Sequence, residues 1–131
     1  MSQENVEIVR AFIAAWNAGN MDAIREMYDP NVMMRFAEGW PEPGPFVGRN
    51  EVMRQLEQMR ETWDADAIEL TGDFIHAGDR VAVRQLWRGA GHGPEAMIAA
   101  TGVTTHRKGR ITAVEFFWDH AEALKAVGLA E

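Results

Sequence analysis

Apolar residues at Val6, Val9, Phe12, Ile13 and Trp16 recur at spacings of three and four, which predicts an amphipathic helix from about Gln3 to Ala18. Gly19 ends it, and Asn20 is placed to cap a second, shorter helix through Met21, Ile24 and Met27, stopped by Tyr28, Asp29 and Pro30. A short strand through Val32, Met34 and Phe36 follows. Ala37 to Gly48 holds Gly39, Gly44, Gly48, Pro41, Pro43 and Pro45, a composition that excludes regular helix and central strand and reads as a loop fit to act as a lid. Asn50 is placed to cap a third helix, with Val52, Leu56, Met59 and Trp63 on one buried face. Beyond it, alternation predicts four strands: Ile68 to His76, Arg80 to Arg88, about Glu95 to Arg107, and Arg110 to Trp118. The last strand passes directly into a helix at Asp119, where Asp119 and Glu122 have the spacing of a capping box. Helices first and hairpin-connected strands later imply an α+β domain, its antiparallel sheet covered on one face by helices and, if strongly curved, closed into a cone.

Composition narrows the class. At 131 residues and 47% hydrophobic, the chain is expected to form one domain with a real core. A net charge of −7, from 20 acidic and 13 basic residues, argues against a nucleic-acid partner, because a phosphate backbone needs a concentrated basic surface. No apolar run approaches the roughly 18 residues of a membrane span and no secretory pattern is visible, so a cytoplasmic protein without a membrane partner is expected. The absence of cysteine excludes disulfides and thiolate chemistry. No two of His76, His92, His106 and His120 have the i, i+4 spacing of a zinc helix, so neither a metal nor another cofactor is expected.

Four stretches, ENVEIVRAFIAAWNAGNMDAIREMYDP, FVGRNEV, AGDRVAV and KGRITAVEFFWDHAEALKAVGL, together resemble the SnoaL-like branch of the nuclear transport factor 2-like superfamily over nearly the whole chain. The resemblance implies a curved sheet wrapped around three helices, a deep apolar pocket at the mouth of the cone, and a homodimer formed through the outer sheet face. It also implies what is missing. Where ketosteroid isomerases of the superfamily carry a tyrosine and two aspartates, this chain has Phe12, Phe36 and Gly102, while Trp118 matches a pocket-lining aromatic. Where limonene epoxide hydrolases carry an Arg-x-Asp pair and a last-strand aspartate, it has Arg84-Gln85-Leu86 and Phe116, and the acid of SnoaL-type cyclases falls near the same Phe116. A phenyl ring cannot abstract a proton.

Strand faces decide the remaining candidates. Lysine is a poor residue for the left-handed first position of a two-residue turn, whereas Gly109 suits the third position of a three-residue loop with a bulge. That register sets His106 opposite Arg110 and puts Ala100, Gly102, Thr104 and His106 on the face of Val114, Phe116 and Trp118. For the strand from Arg80, hydrophobicity favours burying Val81, Val83, Gln85 and Trp87, while likeness to superfamily enzymes favours Ala82, Arg84, Leu86 and Arg88. The second choice is preferred. It leaves Trp87 and the valines for a dimer interface.

The expected inward set is then Trp16, Tyr28, Met34, Phe36, Trp63, Arg84, Leu86, Thr104, Phe116 and Trp118. Arg84, whose planar fork can hold a carboxylate or phosphate, and His106, which titrates near neutrality, are the polar groups fit for catalysis. Each has a plainer reading: Arg84 as a solvated strand residue, His106 as an exposed residue near a hairpin tip, Tyr28 and Trp16 as core, Asp119 as a helix cap. Glu38 and Trp40 sit on the loop that would reach the pocket mouth. The function expected is binding of a small hydrophobic metabolite, with isomerisation, cyclisation or hydration in view and no cofactor. The alternative is a non-catalytic binding or dimerisation module using Trp87, Val83 and Phe117. A void of roughly 300 Å3 or more containing Arg84 or another inward polar group would favour ligand chemistry, and a filled cone would count against it.

Overall fold

The computed structural model describes residues 2–63, 65–91 and 93–128, so His92 and Leu129 lie outside the described residues. Two helices, α1 (Ser2–Ala18) and α2 (Met21–Met27), lead into β1 (Tyr28–Arg35). A two-residue strand, β2 (Phe46–Val47), precedes α3 (Arg49–Thr62). Then follow β3 (Ala65–Leu70), β4 (Ile75–Ala77), β5 (Arg80–Ala90), β6 (Ala96–Arg107), β7 (Arg110–Phe117) and the short C-terminal α4 (His120–Ala126). The sheet is seven-stranded, in the order β2-β1-β7-β6-β5-β3, with β4 also on β5. Only the β1–β7 pairing is parallel among the described strands. This is the α+β architecture expected, a curved, mostly antiparallel sheet with α1 to α3 in its concavity.

Local chemistry accounts for the helix ends with one exception. Asn20 accepts from the Ala23 amide at 3.1 Å, and Asp119 accepts from the Ala121 amide at 2.9 Å. Glu122 does not close a capping box; it pairs with Lys125 at 3.3 Å. Asn50 is not the cap of α3. Gly48, at φ 98°, takes that position, and the Asn50 side chain instead accepts from Arg25 of α2.

The strand expected from Ile68 to His76 is two strands. β3 pairs with the second half of β5 and β4 with its start, while the Thr71 amide still reaches Arg84 O at 3.0 Å. Gly72 and Asp73 make the break; a Cβ on Gly72 would approach Arg84 Cβ to 3.3 Å. The hairpin between β6 and β7 also differs from expectation. Arg107 pairs with Arg110, so the loop is the two residues Lys108 and Gly109, both left-handed at φ 53° and 81°. Lysine there costs about 1 kcal/mol, which the turn's match to strand twist offsets. The bulge sits one step inside β7, where Thr112 is the extra residue between the His106–Ile111 and Thr105–Ala113 pairs. Because one extra residue is accommodated in either arrangement, Thr104 faces Val114 and Gly102 faces Phe116, and the expected inner face survives.

On β5 the inward preference for Arg84 is overturned. Val81, Val83 and Trp87 are buried, Val81 and Val83 packing against Val6 and Val9 of α1. Arg84 is exposed and Arg88 half-buried, the latter 3.6 and 3.5 Å from Glu69 and Glu95. Hydrophobicity wins because each buried valine contributes about 1.5–3 kcal/mol, whereas an inward arginine would lose its hydration. Val83 and Trp87 are thus unavailable to an outer dimer surface. Phe117 does lie outside, packed with Ala82 and Val103 beneath Ala123 of α4 and Val127, the residue that caps it. No helix among the described residues is long and apolar enough to cross a membrane.

Candidate functional site

The concave face closes around an apolar cavity of about 110 Å3, walled by α1, β1, the loop after it, α3 and strands β3, β5, β6 and β7. The void is smaller than expected, but the cone is not filled. Its lining includes Trp16, Tyr28, Met34, Phe36, Thr104, Phe116 and Trp118 from the expected set, and Phe12, Trp40, Gln85 and Trp87 outside it. Trp63 stands one layer back, edge-on to Trp87 at 5.5 Å between ring centroids. Leu86 and Arg84 are on the opposite face of β5 and are not part of the site. Arg84 lies instead near His120, whose imidazole is held below its ordinary pKa by burial and by that guanidinium; His120 Nδ1 is 3.0 Å from Thr101 Oγ1.

An aromatic ladder covers the mouth. Phe116 stacks on Phe36 at 5.6 Å, Phe36 on Trp40 at 5.1 Å, and Trp40 leans on Trp118 at 6.2 Å. Trp118 is 50% exposed, and its Nε1 donates to Glu38 O at 2.7 Å, tying the Gly/Pro loop to the end of β7. The loop is thus a lid in geometry: Phe36 N donates to Pro43 O at 2.8 Å and Trp40 N to Ala37 O at 3.1 Å, turning Trp40 back over the cavity.

A buried carboxylate fixes the adjoining wall. Asp66 Oδ2 accepts from Trp16 Nε1 at 2.9 Å and Trp87 Nε1 at 2.8 Å, while Oδ1 lies 3.6 Å from Arg60 Nη2. The Asp66 side chain is only 3% exposed. Arg60 also donates to Trp16 O at 2.7 Å and sits 4.6 Å from the centre of the Trp16 ring, so one guanidinium joins α3, α1 and β3. Asp66 is not a cavity-lining residue; it locks two tryptophans that are. Behind them Gly89 is obligatory, since a Cβ there would sit 2.5 Å from Trp87 Cη2 and 2.8 Å from Trp63 Cδ2.

Polar groups interrupt the apolar lining at a few places. Burial raises the Tyr28 phenol above its ordinary pKa, so it is a neutral donor at pH 7. Thr104 Oγ1 is 2.7 Å from His106 Nε2. His106 is 3% exposed, not at the surface, and burial pushes its imidazole down to about 4 against the opposing pull of Asp79. It stands behind Thr104 rather than in the lining. Gln85 extends over Gly102, where an added Cβ would meet its Oε1 at 3.2 Å. Among the described residues no Asp, Glu, His, Lys or Arg side chain lines the cavity.

Asp66 was legible in one respect: it shares strand parity with Ile68 and Leu70, an acid on an apolar face. Its two indole partners lie 50 and 21 residues away, which no local pattern reveals. Among the described residues no group of three or more His, Asp or Glu is placed to hold a metal ion.

Comparison with known proteins agrees with this geometry. The sequence matches the model of the SnoaL-like domain over residues 9–114. An NTF2-like protein of unknown function from Burkholderia pseudomallei superposes with a TM-score of 0.77 at 22% identity, covering 97% of this chain and 98% of that one. TerC, co-crystallised with polyporic acid, gives 0.76 at 21% identity over 95% of this chain and 98% of its own. A protein provisionally assigned as a SnoaL-like polyketide cyclase, from a Jannaschia species, gives 0.76 at 18% identity over 99% and 95%. No curated protein matches the sequence.

Proposed function

The chain belongs to the SnoaL-like domain family, and from that premise we propose that it binds a small, neutral, ring-bearing apolar molecule inside the cone. One observation carries the reading: a void in the concave face is walled by aromatic and aliphatic side chains, with Tyr28, Gln85 and Thr104 as polar groups and, among the described residues, no charged side chain. A ligand there is desolvated against apolar surface and oriented by few hydrogen bonds. A cavity of about 110 Å3 suits one six-membered ring, given that an apolar void of about 150 Å3 takes up benzene. A larger ligand requires Trp40 and the lid to swing away from Trp118. TerC, a neighbour in fold, was crystallised with polyporic acid, which is consistent with a cone of this shape accepting a small organic molecule.

The reading is binding rather than turnover. Proton abstraction needs a base within hydrogen-bond reach of the substrate, and among the described residues the lining supplies no carboxylate or imidazole; the resemblance puts Phe116 and Phe36 where related enzymes hold acids, and Arg84 faces outward. Isomerase, cyclase or hydrolase chemistry that begins with proton abstraction therefore lacks a general base on this wall.

The test is methyl NMR of 13C-methionine-labelled protein titrated with cyclohexanone. Met34 and Met59 line the cavity, whereas Met97 is 55% exposed on β6. Saturable shifts at Met34 and Met59 with Met97 still are the expected outcome, unchanged in Arg84→Ala. Equal, non-saturating shifts at all three would refute binding in the cone. Native mass spectrometry of gently purified protein then identifies any molecule carried with it.

A further inference from the structure

His106 has an unusual environment for a histidine: 3% exposed, one ring nitrogen bonded to Thr104 of the cavity lining and the other, Nδ1, buried without a partner. A neutral imidazole carries one proton, and its position sets what Thr104 does. With the proton on Nδ1, a buried N–H has no acceptor and Thr104 must give its single hydrogen to Nε2. With the proton on Nε2, the imidazole donates to Thr104 Oγ1 and only a lone pair is left unfilled. Buried orphan N–H groups are the rarer of the two in folded proteins, and each unsatisfied donor bears its full desolvation cost.

We infer that His106 is protonated on Nε2 and thereby makes Thr104 a hydrogen-bond donor into the cavity, so that the lining selects a ligand with an acceptor oxygen, such as a ring ketone or lactone. This rests on the binding reading above and sharpens it. Thr104 lines the cavity between Val81 on β5 and Val114 on β7, whose side chains accept no hydrogen bond, which leaves the cavity open to the hydroxyl hydrogen released from His106. The neutral Tyr28 phenol adds a second donor on the same lining. The Gln85 amide, which has a donor and an acceptor, is the adaptable member. His106 touches no ligand; it is a positioning residue acting through Thr104. A hydrocarbon of the same shape would leave these donors desolvated and unpaired.

Two measurements test the inference. Long-range 1H–15N correlation spectra at pH 7, with His106 assigned by its loss in His106→Gln, should show a protonated Nε2 and an unprotonated Nδ1; the reverse pattern overturns the inference without reference to any ligand. Binding of cyclohexanone is then compared with that of its hydrocarbon isostere methylenecyclohexane, read at Met34. Thr104→Val should lower the ketone-to-hydrocarbon affinity ratio by about three- to tenfold, the range of one net hydrogen bond, and Thr104→Ser should retain it. An unchanged ratio in Thr104→Val overturns the donor role. Failure of both probes to bind wild-type protein would refute the binding reading, and the imidazole spectra would still decide the tautomer.

Discussion

Replacing Asp66 by alanine should be among the most destabilising single changes in this protein, although the residue touches no ligand. The carboxylate is 3% exposed and accepts both the Trp16 and Trp87 indole N–H groups. Alanine leaves two buried donors unpaired, at about 1–3 kcal/mol each, and removes the partner of Arg60. Partial access of water to this part-buried cluster argues for the lower half of that range, so a loss of about 3–4 kcal/mol is expected. Against the roughly 5–15 kcal/mol that holds a domain of this size together, that is a large fraction. At about 2.1 cal/mol/K of unfolding entropy per residue it corresponds to roughly 11–15 °C in Tm. Urea denaturation followed by circular dichroism measures the loss, and tryptophan fluorescence should report the freed indoles. Asp66→Asn keeps one acceptor oxygen and should recover about half. A loss in Asp66→Ala below about 1 kcal/mol, within the spread of a single exposed hydrogen bond, would refute the assignment of Asp66 as the anchor of this wall.

Three further outcomes follow from the same packing. Gly89→Ala forces a Cβ to within 2.5 Å of Trp87 Cη2, and a loss of about 1–3 kcal/mol from overpacking should appear in urea melts. His106 binds its proton only near pH 4 when folded but at its ordinary 6.5 when unfolded. Between these values the unfolded chain takes up more protons, so His106's contribution is intact above pH 6.5 and falls away as pH drops to 4; the pH dependence of stability should flatten over that window in His106→Gln, and identical profiles would count against a buried neutral imidazole. Trp118→Phe keeps the ring but loses the bond to Glu38 O, so amide exchange of the 37–48 loop should quicken about three- to tenfold, the worth of one net hydrogen bond, with little change in the core of β6.

The main helices and the later strands were readable because their signals are local. The three-four spacing along α1, the Asn20 and Asp119 caps, and the alternation along β5 to β7 depend on near neighbours alone. Trp16, Tyr28, Met34, Phe36, Thr104, Phe116 and Trp118 could be assigned inward on that basis, since period fixes which residues share a face. Arg84 and Leu86 face outward, against the expectation drawn from likeness to catalytic relatives and in keeping with the plain pattern of valine and tryptophan on β5. His106 was misjudged for a different reason: nearness to a hairpin tip implies exposure in sequence, yet the β6–β7 hairpin is folded so that its inner face is covered.

The amino-acid sequence alone determined an α+β order of elements with an aromatic last strand, because strand and helix periods are properties of neighbouring residues; the curvature of its sheet was implied by resemblance to a family. Tertiary structure decided where the hairpin bulge sits, and that Asp66, Trp16, Trp87 and Arg60 meet. Those outcomes depend on burial and on hydrogen bonds between residues far apart in the chain, and only the folded cone brings them within reach of one another.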